Sequence, residues 1–300
     1  MWYTEFRRTI SRLETVMKYI DLHVHSTASD GTLTPSEVVD RAVELSLSAF
    51  ALTDHDTIRG VAEAKERAAL HRAQGHAIEV YSGVEISAEY KKRDIHILGL
   101  LVDESNEILD RALQHSLDNR DQRNYKILDK FRDIGIELTM EDLLEDAPDS
   151  VITRAHFARA LLKKGIIESI PEAFEKYIGD DGPCYVSREY MTPEDAIHLI
   201  KKAGGVPVLA HPLLYNLPHD ELYALVERLK AAGLKGIEVY YSSNKGQDEA
   251  NVKALANHFG LIATGGSDFH GAIKPTIELG TGKNNLKIPY SVLENVLAAK

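Results

Sequence analysis

The 300-residue chain has one cysteine, Cys184, one tryptophan and no apolar run of membrane-spanning length. A lone thiol can form neither an internal disulfide nor a thiolate metal cluster, which excludes disulfide scaffolds and zinc-finger classes and points to a reducing, cytoplasmic setting. The N-terminal stretch, residues 1–16, lacks the apolar core and small-residue cleavage site of a secretory signal. Positive charge is in deficit. With 35 Lys and Arg against 46 Asp and Glu, the net charge of −11 has the wrong sign for broad attraction to nucleic acid or an anionic membrane. Histidine, by contrast, is plentiful at 13 residues. The chain is long enough to bury about 75% of its unfolded surface, so an enzyme-sized core is available. An anionic substrate would need local positive charge, which metal ions held by histidines could supply.

Short β-branched or aromatic runs alternate with longer helical stretches, the signature of β/α architecture and parallel pairing. Seven strands are expected, at residues 19–25, 49–55, 77–87, 95–102, 207–212, 236–241 and 261–270. Thr34-Pro35-Ser36-Glu37 starts one helix and Pro193-Glu194 another, each with Pro in the first turn. Residues 103–195 break the rhythm. They read as helices over 106–134, 140–145, 153–164 and 171–177, too much chain for one crossover, and are taken as an inserted helical subdomain dividing a barrel of residues 17–102 and 196–300. Residues 1–16 read as a short helical extension, with Met17 as an alternative start; packing of Trp2 and Phe6 on the barrel would argue against that start.

His23 and His25 form H-x-H at the end of the first strand, and the period of two puts both imidazoles on one face. Inside a barrel, two adjacent unpartnered imidazoles are costly to desolvate, and a shared metal removes the conflict. Two exposed histidines on an edge strand are the alternative. Asp268 and His270 repeat the i, i+2 arrangement at the last strand. His55 in T-D-H-D, Glu85 in G-V-E-I-S, His96 in D-I-H-I-L-G and His211 in L-A-H-P fall near other strand ends, where barrel enzymes assemble their sites. Singly, His96 could be a core histidine, Glu85 a salt-bridge partner and His211 a turn residue before Pro212. Asp30, in Ser29-Asp30-Gly31, fits a turn equally well, yet lies five residues after His25. Arg154 and His156 project from the first turn of a helix with Thr153 as N-cap and Gly165 beyond its end, a place that favours an anion. An ordinary solvated helix start is the alternative.

The ordered set D-L-H-V-H-S-x-x-S-D-G, A-L-T-D-H-D, G-V-E-I-S, H-I-L-G, R-A-H, A-H-P and G-S-D-F-H, over residues 17–270, resembles the polymerase and histidinol phosphatase (PHP) superfamily of metal-dependent phosphoesterases. The resemblance implies a distorted (β/α)7 barrel, of α/β class, with two or three divalent metals at its C-terminal mouth. It implies one metal on His23, His25, Glu85 and Asp268, a second on Glu85, His96 and His156, and a third on Asp30, His55 and His270. The insert resembles the branch that includes 3′,5′-bisphosphate nucleotide phosphatases and 5′-to-3′ exonucleases of short RNA.

A His/carboxylate donor set without thiolate suits Mn, Fe or Zn, and neighbouring metals can activate water for in-line attack on phosphorus. The expected reaction is hydrolysis of a nucleotide phosphate monoester by metal hydroxide. Arg154 and His211 would bind the phosphate, and His211 or a metal-bound water would protonate the leaving oxygen. Arg120, Arg123 and Lys126, three apart with Tyr125 between, could present a nucleoside-binding face, though a solvated face fits as well; Tyr185 and Arg188 are weaker candidates. The expected partner is a small phosphorylated substrate, a nucleotide or a short RNA end, and no membrane. Competing readings are a histidinol-phosphate phosphatase, an amidohydrolase or deaminase, and a non-catalytic binding module. The oligomeric state is open.

Overall fold

The computed structural model describes residues 18–91, 93–145, 150–179, 181–186 and 191–300. The proposed extension, the alternative start at Met17, Trp2, Phe6 and Arg188 lie outside them. Seven strands form one sheet in sequence order: β1 (Ile20–Val24), β2 (Ala49–Leu52), β3 (Glu79–Tyr90), β4 (Arg93–Leu100), β5 (Val206–Leu209), β6 (Gly236–Tyr241) and β7 (Ile262–Gly266). Contacts between β1 and β7 bring the sheet nearly full circle: Asp268 N–H donates to His23 O at 2.9 Å and His25 N–H to Phe269 O at 3.0 Å. A Cβ on Gly266 would sit 2.4 Å from the His23 backbone nitrogen, so the close approach of β7 to β1 requires glycine there.

Helices α1 (Pro35–Glu44) and α2 (Gly60–Ala73) cover the first strands, where Val38, Val39 and Ala64 pack on Phe50 and Leu52. A capping box between Thr34 and Glu37 starts α1, as its sequence indicates. One expectation fails. Pairing is parallel except around β4, which runs antiparallel to both β3 and β5. Tyr90 pairs with Arg93, so two residues join β3 to β4, far too few for a parallel crossover. Lys91 has φ 50°, as a tight hairpin turn demands. His96 therefore reaches the barrel mouth from the first half of its strand, not from a C-terminal end.

Between β4 and β5 the chain forms α3 (Glu107–Asp133), α4 (Met140–Leu144), α5 (Arg154–Lys163), α6 (Ile170–Ala173) with a following π turn at Phe174–Ile178, and α7 (Pro193–Lys202). The first half of α3 belongs to the barrel, since Leu109 and Leu113 share a cluster with Ile197 and Ile200 of α7. Its second half enters a separate cluster, where Ile127 and Phe131 meet Phe157, Leu161 and Cys184. Helices α8 (His219–Ala232), α9 (Asp248–His258) and α10 (Tyr290–Ala299) complete the outer layer. No described helix is long and apolar enough to cross a membrane.

Candidate metal centre at the barrel mouth

Strand β1 is buried throughout, with Ile20 and Leu22 in the apolar packing and His23 and His25 fully buried. Glu85 on β3 is equally enclosed, and five imidazoles converge on its two oxygens. Oε2 lies 3.2 Å from His23 Nε2, 3.1 Å from His25 Nε2 and 3.2 Å from His55 Nδ1. Oε1 lies 2.8 Å from His96 Nδ1 and 2.9 Å from His211 Nε2. A carboxylate offers about four lone-pair sites, so hydrogen bonding alone cannot serve all five. The Nε2 atoms of His23 and His25 also face each other at 3.1 Å, which needs a proton or a cation between two lone pairs.

A second cluster adjoins the first. Asp30 lies 3.2 Å from His270 Nε2, 3.8 Å from His25 Nδ1 and 3.9 Å from His55 Nε2. Three donor groups have metal-binding compactness among the described residues: His25, Asp30, His55 and His270; His23, His25 and Glu85; and His55, Glu85 and His96. Asp268 borders them. Its Oδ1 is 3.7 and 3.6 Å from the Nε2 atoms of His23 and His25, while its Oδ2 accepts from Tyr241 Oη at 2.8 Å and Lys274 Nζ at 2.7 Å. His156 stands outside these groups: its Nδ1 accepts from Thr153 N–H at 3.1 Å, and its Nε2 lies 3.0 Å from Ser150 Oγ. In this arrangement His156 caps its own helix.

Protonation reflects the crowding. Burial would raise the Glu85 carboxyl, but charge on His23, His55 and His96 holds it well below the usual range. Burial opposes a charge on His23, yet Glu85 and Glu238 push its pKa well above that of a free imidazole. His25, beside it, is driven well below by burial and by His270. Burial takes His55 down to about 4 and His156 to about 3. Among the described residues, the buried Nδ1 atoms of His25, His55 and His211 have no hydrogen-bond partner. Orphaned imidazole nitrogens, facing lone pairs and an overcommitted carboxylate all fit divalent metal ions.

Several supporting residues escaped the sequence reading. Glu238 on β6 accepts from His23 Nδ1 at 3.0 Å through Oε1 and from His211 N–H at 2.8 Å through Oε2. Asp54 accepts from Ser26 N–H at 2.8 Å and Ser29 Oγ at 2.7 Å, fixing the loop that carries Asp30. Asp56 accepts from Ser87 N–H at 2.9 Å and pairs with the Arg120 guanidinium. His211 and Asp268 adopt positive φ, 23° and 57°, rare for residues with a Cβ and suggestive of functional strain.

A cavity of about 850 Å³ opens over the cluster, with Asp30, His55, His96 and His270 on its floor. Arg120, Arg123, Arg154, Lys274 and Lys283 line it, and Ile170, Pro171 and Phe174 add apolar wall. Arg154 pairs with Asp94, and its guanidinium carbon lies 5.8 Å from the Tyr185 ring centroid. Arg123 is buried and bonds Asn124 Oδ1 at 2.7 Å. Lys126 and Tyr125 point to solvent, so the expected shared basic face is not formed.

The PHP domain family model matches residues 21–277. The chain belongs to the PHP domain family. It is 37% identical over 260 residues to the 5′-3′ exoribonuclease Rnm of Escherichia coli, covering 87% of each chain. It is also 37% identical over 256 residues to the 3′,5′-nucleoside bisphosphate phosphatase of Chromobacterium violaceum, covering 85% of this chain and 88% of the relative. Among solved structures, a Chromobacterium violaceum protein described as an amidohydrolase, with bound sulfate and no metal, superposes with TM-score 0.84 at 34% identity over 94% of this chain and 96% of that one. A Bifidobacterium adolescentis protein assigned as a metal-dependent phosphoesterase gives 0.82 at 29% identity over the same shares. The PHP chain described here is accordingly a hydrolase of phosphoester bonds that binds divalent metal.

Proposed function

We propose that this PHP protein is a nucleotide phosphatase, removing a phosphate from a 3′,5′-bisphosphate nucleotide or an AMP-like monoester. The observation that carries the reading is the five-imidazole convergence on Glu85 beside the Asp30–His270 cluster, at the floor of a cavity with cationic and apolar walls. The donors for two or three ions of Mn, Fe or Zn type are His23, His25, Glu85 and Asp268, then Glu85 with His96 and either His55 or His156, then Asp30, His55 and His270. When bound, such ions supply Lewis acidity and an activated water for in-line attack. Asp54 and Glu238 hold the loops and rings in place. Arg154, on the cavity wall, takes a phosphoryl oxygen, as Arg does in a bidentate fashion. His211, aimed at Glu85 Oε1 with its backbone clamped by Glu238, contacts the phosphate and returns a proton to the leaving oxygen. Arg123, Tyr185 and the apolar wall receive the nucleoside, and within residues 103–195 the part from the second half of α3 onward serves as the cap that supplies them. The buried lone Cys184 suits a cytoplasmic protein.

A phosphate-release panel with the Mn-loaded protein tests the reading. Adenosine 3′,5′-bisphosphate and AMP are expected to be cleaved faster than histidinol phosphate or a short 5′-phosphorylated RNA; release from histidinol phosphate alone would overturn the assignment. Exonuclease action on short RNA is the second reading. It is favoured by a neighbouring cavity of about 310 Å³ that shares Leu162, Ile170, Ala272 and Ile273 with the first and has room for a further nucleotide.

A further inference from the structure

Cations along the cavity wall differ in what neutralises them. Arg154 is paired with Asp94, Arg120 with buried Asp56, and Lys274 with Asp268, while Arg123 is buried against Asn124 Oδ1. Lys283 instead meets the Ser243 hydroxyl at 3.3 Å, and among the described residues no carboxylate pairs with it. In a chain of net charge −11, a cavity-lining ammonium set against a neutral hydroxyl stands out.

The loop that carries it is fastened. Gly280 N–H donates to Asp21 Oδ2 at 2.8 Å, Glu278 N–H to Gly282 O at 2.9 Å, and Lys283 N–H to Asn285 Oδ1 at 3.0 Å. Asn285 Nδ2 in turn donates to Ser242 O at 3.2 Å, just past the end of β6. Gly282 has φ 58°, and a Cβ there would lie 2.5 Å from Ser242 Oγ, so glycine lets the loop press against that strand end. The backbone of Lys283 is thus fixed beside Ser243, with only the side chain to order when a ligand binds, which lowers the entropic cost of binding.

Position separates this pair from the reaction centre while keeping it close. Ser243 lies two residues beyond Tyr241, whose hydroxyl holds Asp268, and Lys274, which lines the same cavity, is committed to that carboxylate. We propose that Lys283 and Ser243 form an anion subsite for the second, non-reacting phosphate of a nucleoside bisphosphate. An ammonium and a hydroxyl donor match phosphate oxygens, and the subsite favours bisphosphate over monophosphate. This inference rests on the nucleotide-phosphatase reading and specifies which nucleotide that site prefers.

The test compares kcat/KM for adenosine 3′,5′-bisphosphate and for AMP in the Mn-loaded wild type, Lys283→Gln and Lys283→Arg. Lys283 is exposed, so neither substitution threatens the fold. The wild type is expected to prefer the bisphosphate. Lys283→Gln should lower the bisphosphate-to-AMP ratio about tenfold, mainly through KM, and Lys283→Arg should restore most of it. A ratio unchanged in Lys283→Gln, or a wild type that does not prefer the bisphosphate, would overturn the subsite and leave the phosphatase reading intact. Release from neither ester would remove both.

Discussion

Glu238 shows how a residue outside the donor groups can orient those within them. Its carboxylate accepts the His23 Nδ1 proton, which leaves the Nε2 lone pair aimed at Glu85 and His25. Glu238→Gln is expected to cost about 10–100-fold in metal affinity or activity; full metal content and kcat/KM in that variant would contradict the role. His23→Ala or Asp268→Ala should remove metal and phosphatase activity together, and retention of both would refute the ligand assignment. Metal-free His23 holds its proton to well above pH 6.5 because Glu85 and Glu238 face it, whereas a bound metal needs the neutral ring. Metal binding at neutral pH should therefore release protons, and apparent affinity should rise with pH, measurable by calorimetry in buffers of different ionisation enthalpy. The sequence displayed the clustered donors through their motifs, H-x-H at the end of β1 and D-x-H beyond the end of β7, where Asp268 takes up positive φ in place of a strand period. It hid Glu238 because one Glu in G-I-E-V-Y-Y looks like a solvent-facing strand residue. The signal was there in the flanking Ile237 and Val239, which place Glu238 on the opposite face of a strand buried on both sides.

Among elements, β4 and α3 departed most from expectation. No Gly or Asn marks the β3–β4 turn, so the hairpin passed unnoticed and the strand was read as parallel, although Lys91 takes up positive φ. On α3, residues three apart drift by about 60° per step at 3.6 residues per turn. By Lys126 the helix has turned from the barrel, where Arg120 and Arg123 are buried, to solvent. Helix ends were legible by contrast: Thr34 and Thr153 cap the helices the sequence assigned to those positions, and the helix read from Pro193-Glu194 starts there, capped by Thr192. The buried Asp56–Arg120 pair ties α3 to the barrel mouth. Asp56→Ala removes the carboxylate that pairs with the buried Arg120 guanidinium and should destabilise the protein by about 3–5 kcal/mol, read as a lower denaturant midpoint; an unchanged midpoint would show the pair to be dispensable.

For the whole molecule, acidity and histidine content resolve into one arrangement. Six histidines, His23, His25, His55, His96, His211 and His270, gather at the barrel mouth, with His156 beside them on its own helix start, and the cationic side chains of the cavity sit in a protein whose overall charge is −11. Long-range field repels a polyanion, while metal and local cations draw in a small phosphorylated ligand. Barrel closure and metal site share residues, since Asp268 N–H bonds His23 O across the β1–β7 seam. The most direct measurement is phosphate release from adenosine 3′,5′-bisphosphate by the protein as loaded with Mn, after chelation, and after Mn is restored. Release that disappears on chelation and returns with Mn is the expected result; release that persists in the stripped protein, or never occurs with metal present, would contradict the account.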